Sequence, residues 1–129
     1  MENARVVIHG ALIRFALAIL LVHAGCAVAV AAQLTFDLKV AQGRLPDASR
    51  LIHVTQDDVV TLQWTTDQPL VIHLHGYDIE KRIVPGAVTE LKFTALATGR
   101  FAIHAHGQTE RGGQDREEAP LAVVEVYPR

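Results

Sequence analysis

The feature that most constrains this chain is the recurrence of apolar residues at every second position after residue 32. Residues 34–40 read Leu-Thr-Phe-Asp-Leu-Lys-Val, and residues 60–64 read Val-Thr-Leu-Gln-Trp. Successive side chains of a β-strand point to opposite faces of a sheet, so both segments are predicted to be strands with one buried face. Further strand-like runs lie at residues 51–54, 70–75, 88–94, 100–106 and 121–127.

These runs are short, and residues typical of turns separate them. Glycine, proline or aspartate interrupts the chain after each run, at intervals of about 8 to 12 residues. The polar segment from Gly107 to Pro120 is predicted to be the longest loop. No segment after residue 32 has a helical period. About seven or eight short strands with such turns predict an all-β fold, a Greek-key β-sandwich or barrel.

The first 32 residues have the pattern of an export signal. Arg5 and Arg14 are followed by an apolar run and then by small residues, and both 29–31 and 30–32 fit a small-x-small cleavage site. The apolar core is shorter than the roughly 20 residues of a membrane span. We therefore predict a signal peptide over residues 1–32, a single domain over 33–129, and a periplasmic or secreted location. A retained membrane anchor is the alternative.

Charge and sulfur content exclude several classes of function. The chain has 12 Lys and Arg against 14 Asp and Glu, a formal net charge of −2. This balance favours neither a nucleic acid nor an acidic membrane as partner, and membrane contact is expected only with a retained N-terminal segment. The only cysteine, Cys26, and the only methionine, Met1, lie within the predicted signal. A processed chain would therefore contain neither a thiolate nor a thioether.

Four of the seven histidines form two His-x-His pairs, each followed at once by glycine. The pairs are His73-Leu74-His75 and His104-Ala105-His106. Residues i and i+2 of a strand face the same side, so each pair is predicted to direct two imidazoles one way. Imidazole nitrogen suits copper, zinc, nickel and iron. The alternative is that two half-exposed strands carry histidines with no metal.

The order of several motifs resembles that of the cupredoxin family. The motifs are Asp58–Leu62, His73–Ile79, Val84-Pro85-Gly86, Thr98–Ile103 and the terminal strand, and together they cover nearly all of residues 33–129. The resemblance implies a β-sandwich with a copper site. The His75-Gly76-Tyr77 segment also resembles the first-histidine segment of dinuclear copper domains in oxidases and nitrous oxide reductases.

The departures from the family pattern concern its sulfur ligands. Phe101 and Ile103 take the family's aromatic and aliphatic places, and Ala105 takes that of the cysteine. No methionine follows. A blue-copper centre needs a thiolate and usually an axial thioether, so this chain cannot form one. The dinuclear centre, which needs two bridging cysteines, is excluded for the same reason.

The remaining metal ligands are nitrogen and oxygen. The candidates, in order of preference, are His75, His106, His73 and His104. On a regular strand His104 and His106 face away from Ala105, but a bulge near Ala105 would turn His106 inward, so the His75–His106 pair is preferred. Imidazoles, with a carboxylate or water, suit Cu(II), with zinc as the alternative. Asp78, Glu110, Asp115, Glu117 and Glu118 are either oxygen donors or solvated surface residues.

Three functions are compatible with these residues. The first is an exported copper carrier, buffer or delivery protein, with the metal ion as partner. The second is a metal-free cupredoxin-like module that binds a periplasmic protein or another ligand. The third is a small copper enzyme. No paired general acid and base, nucleophile triad or phosphate loop supports other catalysis, so binding is favoured over an enzymatic role.

Overall fold

The computed structural model describes residues 30–107 and 119–129. Eight strands account for most of these residues: β1 (Gln33–Val40), β2 (Leu51–Thr55), β3 (Val59–Thr66), β4 (Leu70–Leu74), β5 (Ile79–Ile83), β6 (Thr89–Thr94), β7 (Gly99–Gly107) and β8 (Ala122–Tyr127). A single 3-10 turn, Asp47–Ser49, precedes β2. No helix in the described part of the chain is long and apolar enough to cross a bilayer.

The strands form two sheets. One has three strands in the order β1-β3-β6, and the other has five in the order β2-β8-β7-β4-β5. The β1–β3 and β2–β8 pairs are parallel, whereas all other neighbours are antiparallel. The predicted all-β fold of seven or eight strands is confirmed, and of the two predicted forms, sandwich or barrel, the strands form two sheets. The predicted signal falls largely on residues 1–29, and most of the predicted long loop on 108–118, both outside the described residues.

Sequence patterns missed one strand, β5. Its central residues are Glu80, Lys81 and Arg82, all exposed, so it lacks the alternation that marked the others. It lies at the edge of the five-stranded sheet, where charged side chains discourage pairing with another chain. Its position matters because β5 is the neighbour of β4.

The core lies between the two sheets and is built from the predicted alternation. Val60, Leu62 and Trp64 of β3 are completely buried, as are Ile72 of β4 and Ile103 of β7. Each such side chain contributes roughly 1.5–3 kcal/mol through burial of apolar surface. Because Ile72 and Ile103 point inward, their neighbours in β4 and β7 point to the outer face of the five-stranded sheet.

A buried carboxylate joins the two ends of the domain. Asp58, only 4% exposed, accepts hydrogen bonds from the backbone N–H groups of Ala32 and Thr55, each at 2.9 Å. The Arg129 guanidinium donates to the same carboxylate. These backbone hydrogen bonds, assisted by Arg129, hold the pKa of Asp58 below its usual value.

The contacts of Ala32 bear on where an export signal would be removed. Ala32 donates to Asp58 and its carbonyl accepts from the Val59 N–H at 2.8 Å. Cleavage after Ala32 would remove both bonds, whereas cleavage after Ala31 would keep them. We therefore expect the exported form to begin at Ala32, one residue earlier than the boundary predicted from the sequence. Intact-mass measurement of the protein from a periplasmic fraction checks this, and a mass beginning at Gln33 would contradict it.

Candidate metal centre

The four candidate histidines lie on the two central strands of the five-stranded sheet. In the antiparallel β4–β7 pair, His73 is directly opposite His104, and Val71 is opposite His106. Directly opposed residues have Cβ atoms about 5 Å apart. Sheet pairing therefore brings together two histidines that are 31 positions apart in the sequence.

Three of the histidines form a group that we call the imidazole cluster: His73, His75 and His104. The ring centroids of His73 and His75 are 4.2 Å apart, and those of His75 and His104 are 4.9 Å apart. The side chain of His73 is 28% exposed, and that of His75 is more open. The cluster thus lies on the outer face of the sheet, within reach of solvent.

His106 does not join this cluster. It is opposite Val71, four residues before His75, which corresponds to about 13 Å along a strand. His75 instead donates its backbone N–H to the Ala102 carbonyl at 2.9 Å. The β4–β7 ladder continues without interruption from Leu70–Gly107 to Leu74–Ile103, so these described residues contain no bulge that would turn His106 inward. The structure therefore does not bring the preferred pair, His75 and His106, together.

Ala105 occupies the opposite face of β7. It packs against the hydrophobic core, as the strand parity predicts. The position at which the family pattern places a cysteine is therefore an apolar contact to the core. The side chains of His104 and His106 lie on the other face of β7 from that of Ala105.

Two carboxylates lie close to the cluster. Asp78 adopts a positive φ of 54° and places its Oδ1 3.6 Å from Nε2 of His73. Glu80 of β5 is directly opposite His73, on the side away from His104. Sequence reasoning missed Glu80 because it lies in the strand that lacked alternation. The other candidate acids, Glu110, Asp115, Glu117 and Glu118, lie outside the described residues.

Within residues 30–107 and 119–129, no three histidine, cysteine, aspartate or glutamate side chains form a ready-made metal site. The rings of the imidazole cluster instead pack against one another, with interplanar angles of 43° and 72°. A metal would require the rings to rotate until their nitrogens converge. Side-chain rotation at exposed positions is fast, and the donor set is one that Cu(II) and Zn(II) accept.

The residue after His75 is a glycine with a backbone conformation that other residues rarely adopt. Gly76 has a φ of 85°, a conformation that residues with a Cβ rarely adopt. A Cβ at this position would lie 2.6 Å from Cδ1 of Phe101. The next residue, Tyr77, packs its ring between Phe93 and Phe101, with centroids 4.8 Å from each. The close approach of Gly76 to Phe101 thus anchors the end of the strand that carries His73 and His75.

A second polar group lies on the same sheet, away from the cluster. Glu125 of β8 bridges His53 and Arg100, each at 3.0 Å, and accepts a 2.8 Å hydrogen bond from the Tyr127 hydroxyl. This hydrogen bond, with some desolvation, raises the pKa of Tyr127. The interpretation of His53 as an ordinary strand histidine is consistent with this network.

Comparison with known proteins identifies the fold. No protein-family model and no curated protein matches the chain. Among solved structures, the periplasmic domain of cytochrome oxidase subunit II (CoxB) from Bradyrhizobium japonicum matches with a TM-score of 0.56 and 20% identity, covering 77% of this chain and 87% of that one. A copper-binding protein in its apo form matches with a TM-score of 0.54 and 13% identity over 75% of this chain and 90% of that one. The chain has a cupredoxin-like fold.

Part of a longer copper protein has a similar fold. The multicopper oxidase mgLAC matches with a TM-score of 0.55 and 24% identity over 76% of this chain. This chain spans only 40% of the length of that oxidase. The resemblance to cupredoxins expected from the motif order is thus confirmed at the level of fold.

Proposed function

We propose that this cupredoxin-like domain is an exported protein that binds Cu(II) through the imidazole cluster, His73, His75 and His104. The observation that carries the proposal is the β4–β7 register, which places His73 opposite His104, with the ring of His75 next to the rings of both. Similarity to solved copper proteins supports copper as the metal. Zinc, which also accepts imidazole nitrogens, is the alternative.

The position of the cluster favours a carrier, buffer or delivery role. Three imidazoles on one face of a sheet leave the solvent side of a bound ion open to water or to a ligand from a second protein. Metal bound in this way exchanges more readily than metal enclosed by the domain. No sulfur ligand is present in the domain to tune a copper ion for electron transfer.

The two neighbouring carboxylates assist the imidazoles. Asp78 lies near Nε2 of His73 and would orient that ring, or supply an oxygen donor once the ring rotates. Glu80, across from His73, adds negative charge beside the cluster. Since a ligand imidazole must be neutral, copper affinity is expected to decrease on acidification.

The proposal predicts a specific pattern among histidine variants. Replacing His73, His75 or His104 by alanine should lower the Cu(II) affinity by at least about tenfold. Loss of a residue that only hydrogen-bonds to a metal ligand already lowers metal affinity by about tenfold, and loss of the ligand itself should lower it at least as much. Replacing both His73 and His104 should reduce the nitrogen hyperfine structure in an electron paramagnetic resonance spectrum at one equivalent of copper from that of three imidazoles to that of one. Competition with a calibrated chelator measures the affinities.

Two other histidines of the same sheet serve as matched controls. His53→Ala removes a histidine bound to Glu125, and His106→Ala removes the one opposite Val71. Neither should change the copper affinity by more than about twofold, well below the effect of a lost ligand. If the His73→Ala, His104→Ala double variant binds copper as tightly as the parent, or if His106→Ala lowers the affinity as much as His104→Ala, the assignment is wrong.

The second candidate function is a metal-free module that binds a protein partner or ligand. The observation that favours it is the packing of the imidazole rings against one another rather than around a point. Under this function copper would not raise the melting temperature more than it does for the double variant, because only binding to the native state stabilises a protein. Thermal unfolding with and without copper therefore separates the two functions.

A further inference from the structure

A cavity of about 420 Å³ lies beside the imidazole cluster, at the end of β7 that extends past the start of β8. One wall is formed by the turn before β2, another by His104 and Ala105, and a third by residues 119–121. Its size is within the range of small-molecule sites, roughly 300–1,000 Å³. Neither the histidine pattern nor the fold assigns a role to it.

The described walls of the cavity carry an excess of positive charge. Arg44 and Arg50 line it, and Asp47 is the only acid among its described lining residues. The chain as a whole has a formal net charge of −2, so this is a local reversal of sign. An apolar wall next to two guanidinium groups strengthens attraction for an anion.

A hydrogen bond holds the Arg50 side chain between two walls of the cavity. Its Nη2 donates to the Pro120 carbonyl at 3.2 Å, which links the turn before β2 to the residues before β8. Its Nη1 is 3.8 Å from Asp47 Oδ1, whose side chain is fully exposed. An exposed ion pair at this distance contributes little. Because a guanidinium has five N–H groups, Arg50 still has N–H donors for a ligand.

Arg44 extends from a closed turn. The backbone groups of Ala41 and Arg44 exchange hydrogen bonds at 2.9 and 3.0 Å, and Gln42 and Gly43 have positive φ. This turn fixes the backbone from which the Arg44 side chain projects. Among the described residues, no carboxylate lies within salt-bridge distance of Arg44.

Apart from Asp47, His104 and the two arginines, the lining consists of Gly43 and apolar residues. Leu45 and Leu121 are buried, and Ala105 and Pro120 complete the surface. Such a lining accommodates a hydrocarbon group, while the planar fork of arginine matches the two oxygens of a carboxylate. We propose that this cavity binds a small organic carboxylate with an apolar chain. The proposal does not depend on copper.

Hexanoate is a suitable probe, and titration into the metal-free protein in the presence of a chelator tests the proposal. Saturable binding by calorimetry, with shifts in the resonances of His104 and Leu121, is expected. Arg44→Gln and Arg50→Gln should each weaken hexanoate binding by about tenfold, the equivalent of a lost charge-assisted contact. Arg82→Gln, which removes an exposed arginine of β5, should leave it unchanged.

Arg44→Gln is the decisive variant, because Arg50→Gln also removes the hydrogen bond to Pro120. Uncharged hexanamide should bind at least about tenfold more weakly than hexanoate. The proposal is overturned if hexanoate shows no saturable binding, if Arg44→Gln binds it as the parent does, or if hexanamide binds equally well. Equal competition by inorganic phosphate would also overturn it, because the site would then recognise charge alone.

Discussion

Gly76→Ala is expected to lower the free energy of unfolding by about 3 kcal/mol, because it adds two independent costs. The first is conformational, since Gly76 has a φ of 85°. The second is steric, since the new Cβ would lie 2.6 Å from Cδ1 and 2.9 Å from Cε1 of Phe101. The Phe101 ring packs on Tyr77 and the core, so it cannot move away freely. Urea unfolding measures the loss.

Gly86→Ala is the matched control. Gly86 has a similar φ of 80°, but nothing lies within 4 Å of the position of its Cβ. Its substitution should cost only about 1 kcal/mol, the conformational part. Adding Phe101→Leu to Gly76→Ala should recover part of the stability by removing the clashing ring. If Gly76→Ala and Gly86→Ala lower the free energy of unfolding equally, the contact with Phe101 does not contribute to the loss.

The same substitution also tests the imidazole cluster. Gly76 follows His75 directly, so displacing it from Phe101 shifts the His75 backbone, which is bonded to Ala102. Copper affinity should therefore decrease in folded Gly76→Ala and stay unchanged in Gly86→Ala. Measurements at low temperature, where the variant remains folded, keep this effect separate from stability.

Asp58→Asn is expected to destabilise the domain by about 3 kcal/mol, the usual consequence of removing one partner of a buried charge pair. The carboxylate is almost fully buried and accepts from two backbone N–H groups and Arg129. An amide keeps one acceptor oxygen but brings an NH2 group against these donors. Thermal or urea unfolding measures the loss.

Asp57→Asn provides the comparison for this variant. Asp57 is the adjacent residue, is exposed, and has a positive φ that asparagine also tolerates. Its replacement should change the free energy of unfolding by less than about 0.5 kcal/mol. If both variants lose the same stability, the buried hydrogen bonds of Asp58 are not the cause.

The effect of Asp58 should depend on pH in a defined direction. The pKa of Asp58 in the folded protein is lowered from 3.8, chiefly by the backbone hydrogen bonds from Ala32 and Thr55. Its contribution is therefore present above the pKa of the unfolded chain and is lost as the pH falls through the lower folded value. The stability difference between the parent and Asp58→Asn should shrink below about pH 4. A constant difference down to pH 2.5 would contradict this assignment.

The local pattern of the sequence was sufficient for the fold class. Alternation in residues 34–40 and 60–64 predicted strands because side chains of a strand have a period of two, and both segments are strands. The same rule predicted that the side chains of His104 and Ala105 lie on opposite faces of the sheet. It did not reveal β5, whose exposed charged residues at a sheet edge carry no such period.

The partners of each strand were decided only by the tertiary structure. Strand pairing joins segments far apart in the sequence, and a shift of two residues keeps every side chain on its face while changing its neighbour. Alternation therefore predicted on which face of its strand each candidate histidine lies, but it did not show which of them are neighbours across the sheet. These histidines are His73, His75, His104 and His106. The β4–β7 register places His104 across from His73 and leaves His106 beside Val71. The approach of Phe101 to Gly76 and the cavity around Arg44 arise in the same way, from pairing between distant segments.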